Sequence, residues 1–263
     1  YDRYGDLKLE LTGDEVYFVP GSAALYILDS GTHRPRKAVA EDYVDYAMLV
    51  DHLPNLSAQS TALVPSDVAE GIKDRYRLFL SLLCGQKPIV TGTFAKEGFL
   101  PMLEMLVAVR GNRDELAQKP LAIFDICPSP PLKWGEWGCQ SLIDCATNQI
   151  PCELVPMPLA GATAPVTLSG ALVQHTAEGL SGVVISQTVR PGAPVIYGGS
   201  PAVFDMREGT TPMGAIETLM IDSAYAQIGK YLNLPTHAYM GLSDSKTLDC
   251  QTGFESGMGT MLA

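Results

Sequence analysis

The sequence predicts an α/β fold on a parallel sheet, and three observations carry that prediction. Short apolar runs alternate with helix-length segments at a spacing of about 30 residues, six times over. Each run is apolar on both faces and fed by a Pro or Gly turn, as in strands covered on both sides. Polar and Gly-rich residues gather after the strands, which suits a TIM-type (β/α)8 barrel with its site on that face. No GxGxxG follows the first strand, which weakens the dinucleotide-binding open sheet. Six strands fall short of a barrel's eight, the chain opens on Tyr1 rather than Met, and GMGTMLA reads as mid-helix. The expected fold is therefore an incomplete barrel fragment over residues 41–263, behind a small N-terminal β-meander cover over residues 1–40.

The elements follow in order. Alternation in LKLEL, VYF and ALYIL, with turns at Gly13-Asp14 and Pro20-Gly21, predicts the meander between Asp6 and Leu28. Asp42 caps a helix to about Leu53, and Leu56–Val64 is the first barrel strand. Helix 71–83 and strand 88–94 come next, then helix 98–110, a charged turn and strand 121–127. Helix 136–147 leads to strand 152–158, and a long helix, Leu168–Val189, has Thr167 as N-cap and stops at Pro191-Gly192. Strand 194–198, a long loop to Gly214, helix 215–232, strand His237–Leu242 and a helix from about Phe254 complete the pattern.

Composition narrows the function. The 263 residues hold 46% hydrophobic and 18% charged side chains, which reads as globular. Net charge is −11, without Lys/Arg clusters, so nucleic acid is not an expected partner. An acidic field weakly favours a cationic ligand. None of the six cysteines has CxxC spacing or a His at ligand-like offset, so no metal site is expected. Cys84 and Cys127, in apolar runs, read as buried thiols of a cytoplasmic protein. No run is long enough to span a bilayer, and no signal peptide is visible. An incomplete barrel would expose a sheet edge, so self-association of the fragment, up to a homo-oligomer, is expected.

Candidate chemistry sits in three loops. Gly161 and Thr163 precede the long helix, whose N-terminus can hold an anion, although a packed turn explains the same residues. His175, on an apolar face of that helix, reads as a core histidine. In GGSPAVFDMREGTT, Tyr197 at the strand end, Phe204 and Asp205 suit a cationic ammonium, and Arg207 a carboxylate; an Asp205–Arg207 surface pair is the alternative. In SDSKTLDCQ, Asp244, Lys246, Asp249 and Gln251 load the end of one strand. Asp67, Asp125, Trp134 and Trp137 are further wall candidates, or structural. No Ser-His-Asp order, HExxH, Walker loop or CxxC appears, so hydrolase, protease, NTPase and redox readings lack support.

Three consecutive segments, PLAGATAPVTLSGALVQHTAE, PGAPVIYGGSPAVFDMREGT and GLSDSKTLDCQTGFESG, resemble the trimethylamine methyltransferase family, which spans pyrrolysine-containing trimethylamine:corrinoid enzymes and pyrrolysine-free relatives acting on glycine betaine. A looser match runs upstream through VYFVPGSAALYILD and VPSDV. The resemblance implies a TIM barrel and transfer of a methyl group from a methylated amine to the cobalt of a corrinoid protein. It implies no directly bound cofactor, since the corrinoid belongs to the partner. Pyrrolysine is not written in residues 1–263, so where the resemblance brings one it is expected outside this fragment, with the stretch beyond Ala263 as a candidate place. The chemistry suggests Asp205, Asp244 and Lys246 as catalytic groups and Tyr197, Phe204, Arg207, Gln251, Gly161 and Thr163 as substrate contacts. The rivals are a barrel lyase or decarboxylase and a non-catalytic quaternary-amine binder.

Overall fold

The structure, a computed structural model, describes residues 1–263. In chain order it holds β1 (Tyr26–Leu28), β2 (Pro35–Lys37), α1 (Ala40–His52), β3 (Gln59–Ser60), a 3-10 turn (Glu70–Ile72), α2 (Lys73–Cys84), β4 (Ile89–Thr91), α3 (Phe99–Arg110), α4 (Arg113–Gln118), β5 (Ala122–Ile126), α5 (Glu136–Asn148), β6 (Cys152–Leu154), β7 (Leu159–Ala160), α6 (Leu168–Val189), β8 (Val195–Tyr197), β9 (Ala202–Val203), α7 (Ile216–Tyr231) and α8 (Cys250–Leu262). The main sheet is parallel, with strand order β3-β4-β5-β6-β8. Two compact units form, residues 1–125 with 144–152, and residues 126–143 with 153–263.

The first unit is organised on β3, β4 and the start of β5, paired in register Gln59↔Ile89 and Ile89↔Ala122. Every residue of β3 and β4 is buried; the polar Gln59 of β3 donates its side-chain amide to Ala47 O at 3.2 Å. Tyr43, Ala47 and Leu80 form the core between α1 and α2, and Phe99 packs on Phe124 in a tilted pair with centroids 5.2 Å apart. The expected meander shrinks to the antiparallel β1–β2 ribbon. Leu7–Leu11 forms no strand, and the segments at Phe18 and Ala24 instead bridge in parallel to Leu56 and Leu63. α1 starts before Asp42: Val39 is the N-cap, and Asp42 Oδ2 reaches back to accept its N–H at 2.8 Å. The presumed charged turn holds α4, which Asn112 caps by accepting from Glu115 N at 2.8 Å.

Lys87 closes the C-terminal end of α1. Its Nζ donates to the carbonyls of Val50, Leu53 and Leu56 at 2.7, 2.6 and 2.7 Å. Val50 O and Leu53 O also accept from Leu53 N and Leu56 N at 3.2 Å each, so the ammonium adds a second donor to both and meets the negative end of the helix dipole. Lys87→Met is expected to lower stability by about 1–2 kcal/mol, read as a shift in urea midpoint with an unchanged slope.

The second unit is organised on β6, β8 and helices α6 and α7. Gly198 N donates to Leu154 O at 3.1 Å, and Val155 N to Ile126 O at 2.9 Å. α6 matches its expected bounds, with the Thr167 hydroxyl accepting from Gly170 N at 3.2 Å. Its glycines admit close packing: a Cβ on Gly179 would lie 2.8 Å from the Tyr197 ring, and one on Gly182 would lie 2.6 Å from Leu154. Gly229 of α7 brings the other helix onto Tyr197, at 2.9 Å for the same construction. Gly179→Ala should therefore lose about 1–3 kcal/mol by overpacking, measurable by thermal melting.

Two expectations for this unit need correction. The sixth strand, His237–Leu242, does not form; one parallel bridge, Tyr197↔Thr236, stands in its place. Pro235 has no N–H to offer and only accepts from Tyr197 N, at 2.8 Å, while Gly241 at φ +76 ends the extended run. The last helix begins at Cys250 rather than Phe254, because Asp249 caps it by accepting from Thr252 N at 2.9 Å. The long loop after β8 also carries an unforeseen strand, β9, which pairs with β7. All six cysteines are free thiols; Cys84, at the end of α2, is only half-buried, and Cys127, one residue past β5, is exposed, contrary to expectation.

Candidate functional site

The loop residues singled out from sequence are held largely by their own backbones. Asp205 accepts from Arg207 N at 2.8 Å and Glu208 N at 3.3 Å, closing a turn that also bridges to Thr210. Arg207 is exposed, and Phe204 is half-buried with its N–H on Ala160 O at 3.0 Å. Thr163 Oγ1 accepts from Leu159 N at 2.9 Å, and its carbonyl accepts from Gln174 at 2.8 Å. Gly161 takes a left-handed φ of +89 that only glycine adopts freely. Asp244 accepts from Met213 N and Gly214 N at 2.9 and 2.8 Å, which fixes the entry to α7. Glu255 gathers Asp244 N, Ser243 Oγ and Gln251 Nε2 at 2.9, 2.7 and 2.9 Å, bringing Asp244 and Gln251 onto one carboxylate. Lys246 is exposed. Among the wall candidates, Asp67 caps α1 through Ala40 N at 2.9 Å, and Trp134 donates to Ser181 Oγ at 2.9 Å. Trp137 is exposed, and Asp125 sits half-buried in β5.

A different group of side chains converges inside the second unit. Leu154 of β6 meets α6 at Gly182, so Glu153, its neighbour on an extended strand, points to the opposite sheet face. Glu153 is buried and ion-paired to His237 Nδ1. His237 stands against Tyr239 edge-to-face, with centroids 5.1 Å apart. On the helix side, Tyr225 of α7 is fully buried, and its hydroxyl spans the carbonyls of Gly199 and His237 at 2.8 and 3.1 Å. That single hydroxyl ties the end of β8 to the segment carrying His237. Tyr225→Phe should release both carbonyls and lower stability by about 1–2 kcal/mol, seen as faster amide exchange at Gly199 and His237 than at α7.

Tyr225 also stacks on His175 at 4.3 Å, and Tyr197 closes the group edge-on to both rings. His175 is buried, as a core histidine should be, with Nδ1 3.4 Å from the Tyr197 hydroxyl. Burial holds its imidazole neutral, at a pKa of about 3. Asp222, one turn before Tyr225, is fully buried, and neither carboxylate oxygen has a hydrogen-bond donor. Burial pushes its pKa up to about 8, against the opposing pull of His237. Tyr225 is raised well above the usual phenol value by burial first, then by the charges of Asp222 and Glu153. Two acids, two histidines and three tyrosines thus share one neighbourhood. Of these, the sequence reading had picked only Tyr197 as a contact; Glu153 and Asp222 were each visible as an acid inside an apolar run, CELV and LMIDSAY.

No group of three His, Cys, Asp or Glu side chains is arranged to hold a metal ion. What the cluster offers is negative charge beside aromatic faces, with few competing donors. That combination stabilises a cation which lacks N–H groups of its own.

Comparison with known proteins gives the family. The family model described as "Trimethylamine methyltransferase (MTTB)" matches residues 2–263. The chain is 32% identical over 262 residues to a glycine betaine methyltransferase of Desulfitobacterium hafniense (strain Y51), covering 99% of this chain and 54% of that protein. It is 32% identical over 256 residues to a trimethylamine methyltransferase MttB of D. hafniense (strain DSM 10664 / DCB-2), covering 96% and 52%. A Methanosarcina barkeri MttB is 34% identical over 227 residues, covering 86% and 46%. The chain therefore spans about half the length of the curated relatives it matches. With the sequence resemblance, the parallel α/β sheet and a match over nearly every residue in agreement, this chain belongs to the trimethylamine methyltransferase family.

Proposed function

We propose that the chain is part of a methyltransferase that removes a methyl group from a methylated ammonium nitrogen and passes it to the cobalt of a partner protein's corrinoid. In this reading residues 41–263 supply the sheet-and-helix part of a (β/α)8 barrel, and residues 1–40 cover it. The observation that carries the reading is the buried Glu153–His237 pair with the unpartnered carboxyl of Asp222 and the rings of Tyr197, Tyr225 and Tyr239. A quaternary ammonium brings charge without hydrogen-bond donors, so it matches acids and aromatic faces better than a site lined with acceptors alone. The corrinoid is a second substrate, held by its own protein; the residues described here are for the amine.

The chemistry is a displacement. The cobalt's electron pair forms the new bond to the methyl carbon, the N–C bond breaks, and its pair stays on nitrogen as a neutral amine. The chain's contribution is to hold the nitrogen so that one methyl faces outward in line with the acceptor. Glu153, fixed by His237, supplies the counter-charge, and Tyr225 fixes His237 from behind. For a substrate that also carries a carboxylate, the exposed Arg207 and Lys246 are the cationic groups of the neighbouring loops. The free thiols and the lack of any helix long and apolar enough to cross a membrane fit a cytoplasmic setting.

The test supplies the complete protein with a reduced corrinoid protein and either glycine betaine or trimethylamine. Methyl-cobalt formation, followed by absorbance, is the expected result. Turnover of an acidic metabolite with no methyl transfer from any methylated amine would favour a lyase or decarboxylase. Tight amine binding without transfer to any corrinoid would favour a binder.

A further inference from the structure

Resting on the amine reading of the same site, we propose that Glu153, His237 and Asp222 act as one proton-exchanging unit: the empty site keeps a proton on this cluster, and a bound ammonium cation displaces it.

The geometry sets up the exchange. Asp222 is fully buried on α7, with no donor to either oxygen. An ionised carboxylate left so would have only the pull of His237 in compensation, so the empty site stabilises the acid form. Near it stand His237, from the segment after α7, and Tyr225, one turn on along α7; Glu153 is held by His237, and His175 and Tyr197 pack on Tyr225. His237 is the group whose charge opposes the shift of Asp222, while burial holds His175 neutral. Glu153 is already committed to His237. His237 thus links the two acids, by contact with Glu153 and by charge with Asp222, and in our proposal the exchanged proton belongs to this set.

Bringing a fixed positive charge beside this set changes its preference. The cation replaces the proton as the counter-charge, so the proton leaves to solvent as the cation enters, and total charge in the site stays constant. The consequence is specificity of a chemical kind. A permanently charged quaternary amine binds by exchange, whereas a neutral molecule of the same shape has no charge to trade and leaves the proton in place.

The experiment is calorimetric titration of the complete protein with tetramethylammonium and with choline, at pH 7.0, in phosphate and in Tris. The difference in heat between buffers counts protons. About one proton released per cation is expected, with affinity tightening by up to about tenfold per pH unit between pH 6.5 and 7.5. The neutral choline isostere 3,3-dimethyl-1-butanol should release none. Asp222→Asn should bind the cation with little or no proton release, and His237→Gln, a second variant in case the first folds poorly, should change the proton count likewise. Cation binding with equal heats in both buffers would overturn the proton exchange while leaving the amine site standing. Undiminished release from both variants would overturn the assignment to this cluster. Failure of every ammonium to bind would remove the amine reading and this inference with it.

Discussion

A Glu153→Gln protein is expected to transfer methyl groups with kcat/KM at least about a hundredfold lower, a loss of about 2.7 kcal/mol. The substitution keeps the shape of a buried side chain and removes its charge. Glu153 lies within a strand whose residues are all buried, and its partner is His237. Without the carboxylate, His237 loses its ion-pair partner and an incoming cation loses one of two acids, and buried charges left short of compensation are strongly disfavoured. The loss should appear mainly in KM. Positive charge on the donor nitrogen falls as the N–C bond breaks, so a fixed carboxylate holds the starting cation more tightly than the transition state. Steady-state kinetics against amine concentration decide it, with circular dichroism confirming the fold. An unchanged KM with a collapsed kcat would place Glu153 in some other role.

The second large effect is a change in how stability depends on pH. Asp222 has a folded pKa of about 8 against an ordinary value of 3.8. From about pH 4 to pH 8 the native protein keeps a proton that the unfolded chain has lost, so this group's contribution to stability falls as pH rises. His175 acts in the opposite sense. Its folded value of about 3 lies below its ordinary 6.5, so its contribution rises with pH from about 3 to 6.5. The two slopes oppose each other below pH 6.5, and above it Asp222 acts alone of the pair. Between pH 6.5 and 8 the stability of Asp222→Asn relative to the parent should therefore grow, by up to about 1.4 kcal/mol per pH unit. Urea unfolding of both proteins at pH 6.5, 7.25 and 8.0 measures it; a constant difference would show that Asp222 is ionised throughout.

What the sequence made legible was whatever rests on local chemistry. α6 could be placed to the residue because its Thr167 cap and Pro191-Gly192 stop are nearest-neighbour signals. The strand expected at His237 was not correctly readable, because the apolar run there is outweighed by Pro235 and the backbone of Gly241. α4 was missed because a six-residue helix carries too little periodicity to count. The site divides the same way. An acid in a loop looks available, yet Asp205, Asp244 and Asp249 are each engaged with nearby N–H groups. Asp249 was read as a site group, and its cap on the last helix was missed with the true start of that helix. Glu153 and Asp222 could have been flagged by the reverse logic, since a carboxylate on a buried stripe such as Leu219-Asp222-Tyr225 demands a reason. Their meeting with His237 depends on chain paths that no window of sequence contains.

The most direct measurement is the position of the cation itself. Arsenobetaine, the arsenic analogue of glycine betaine, can be soaked into crystals of the complete protein, and anomalous scattering at the arsenic edge then locates one atom without ambiguity. The expected peak lies in van der Waals contact with Tyr239 and His237, on the Glu153 side. A peak in the Asp205–Arg207 loop or beside Lys246, with none near Glu153, would contradict the assignment of the amine to the buried acid–tyrosine cluster.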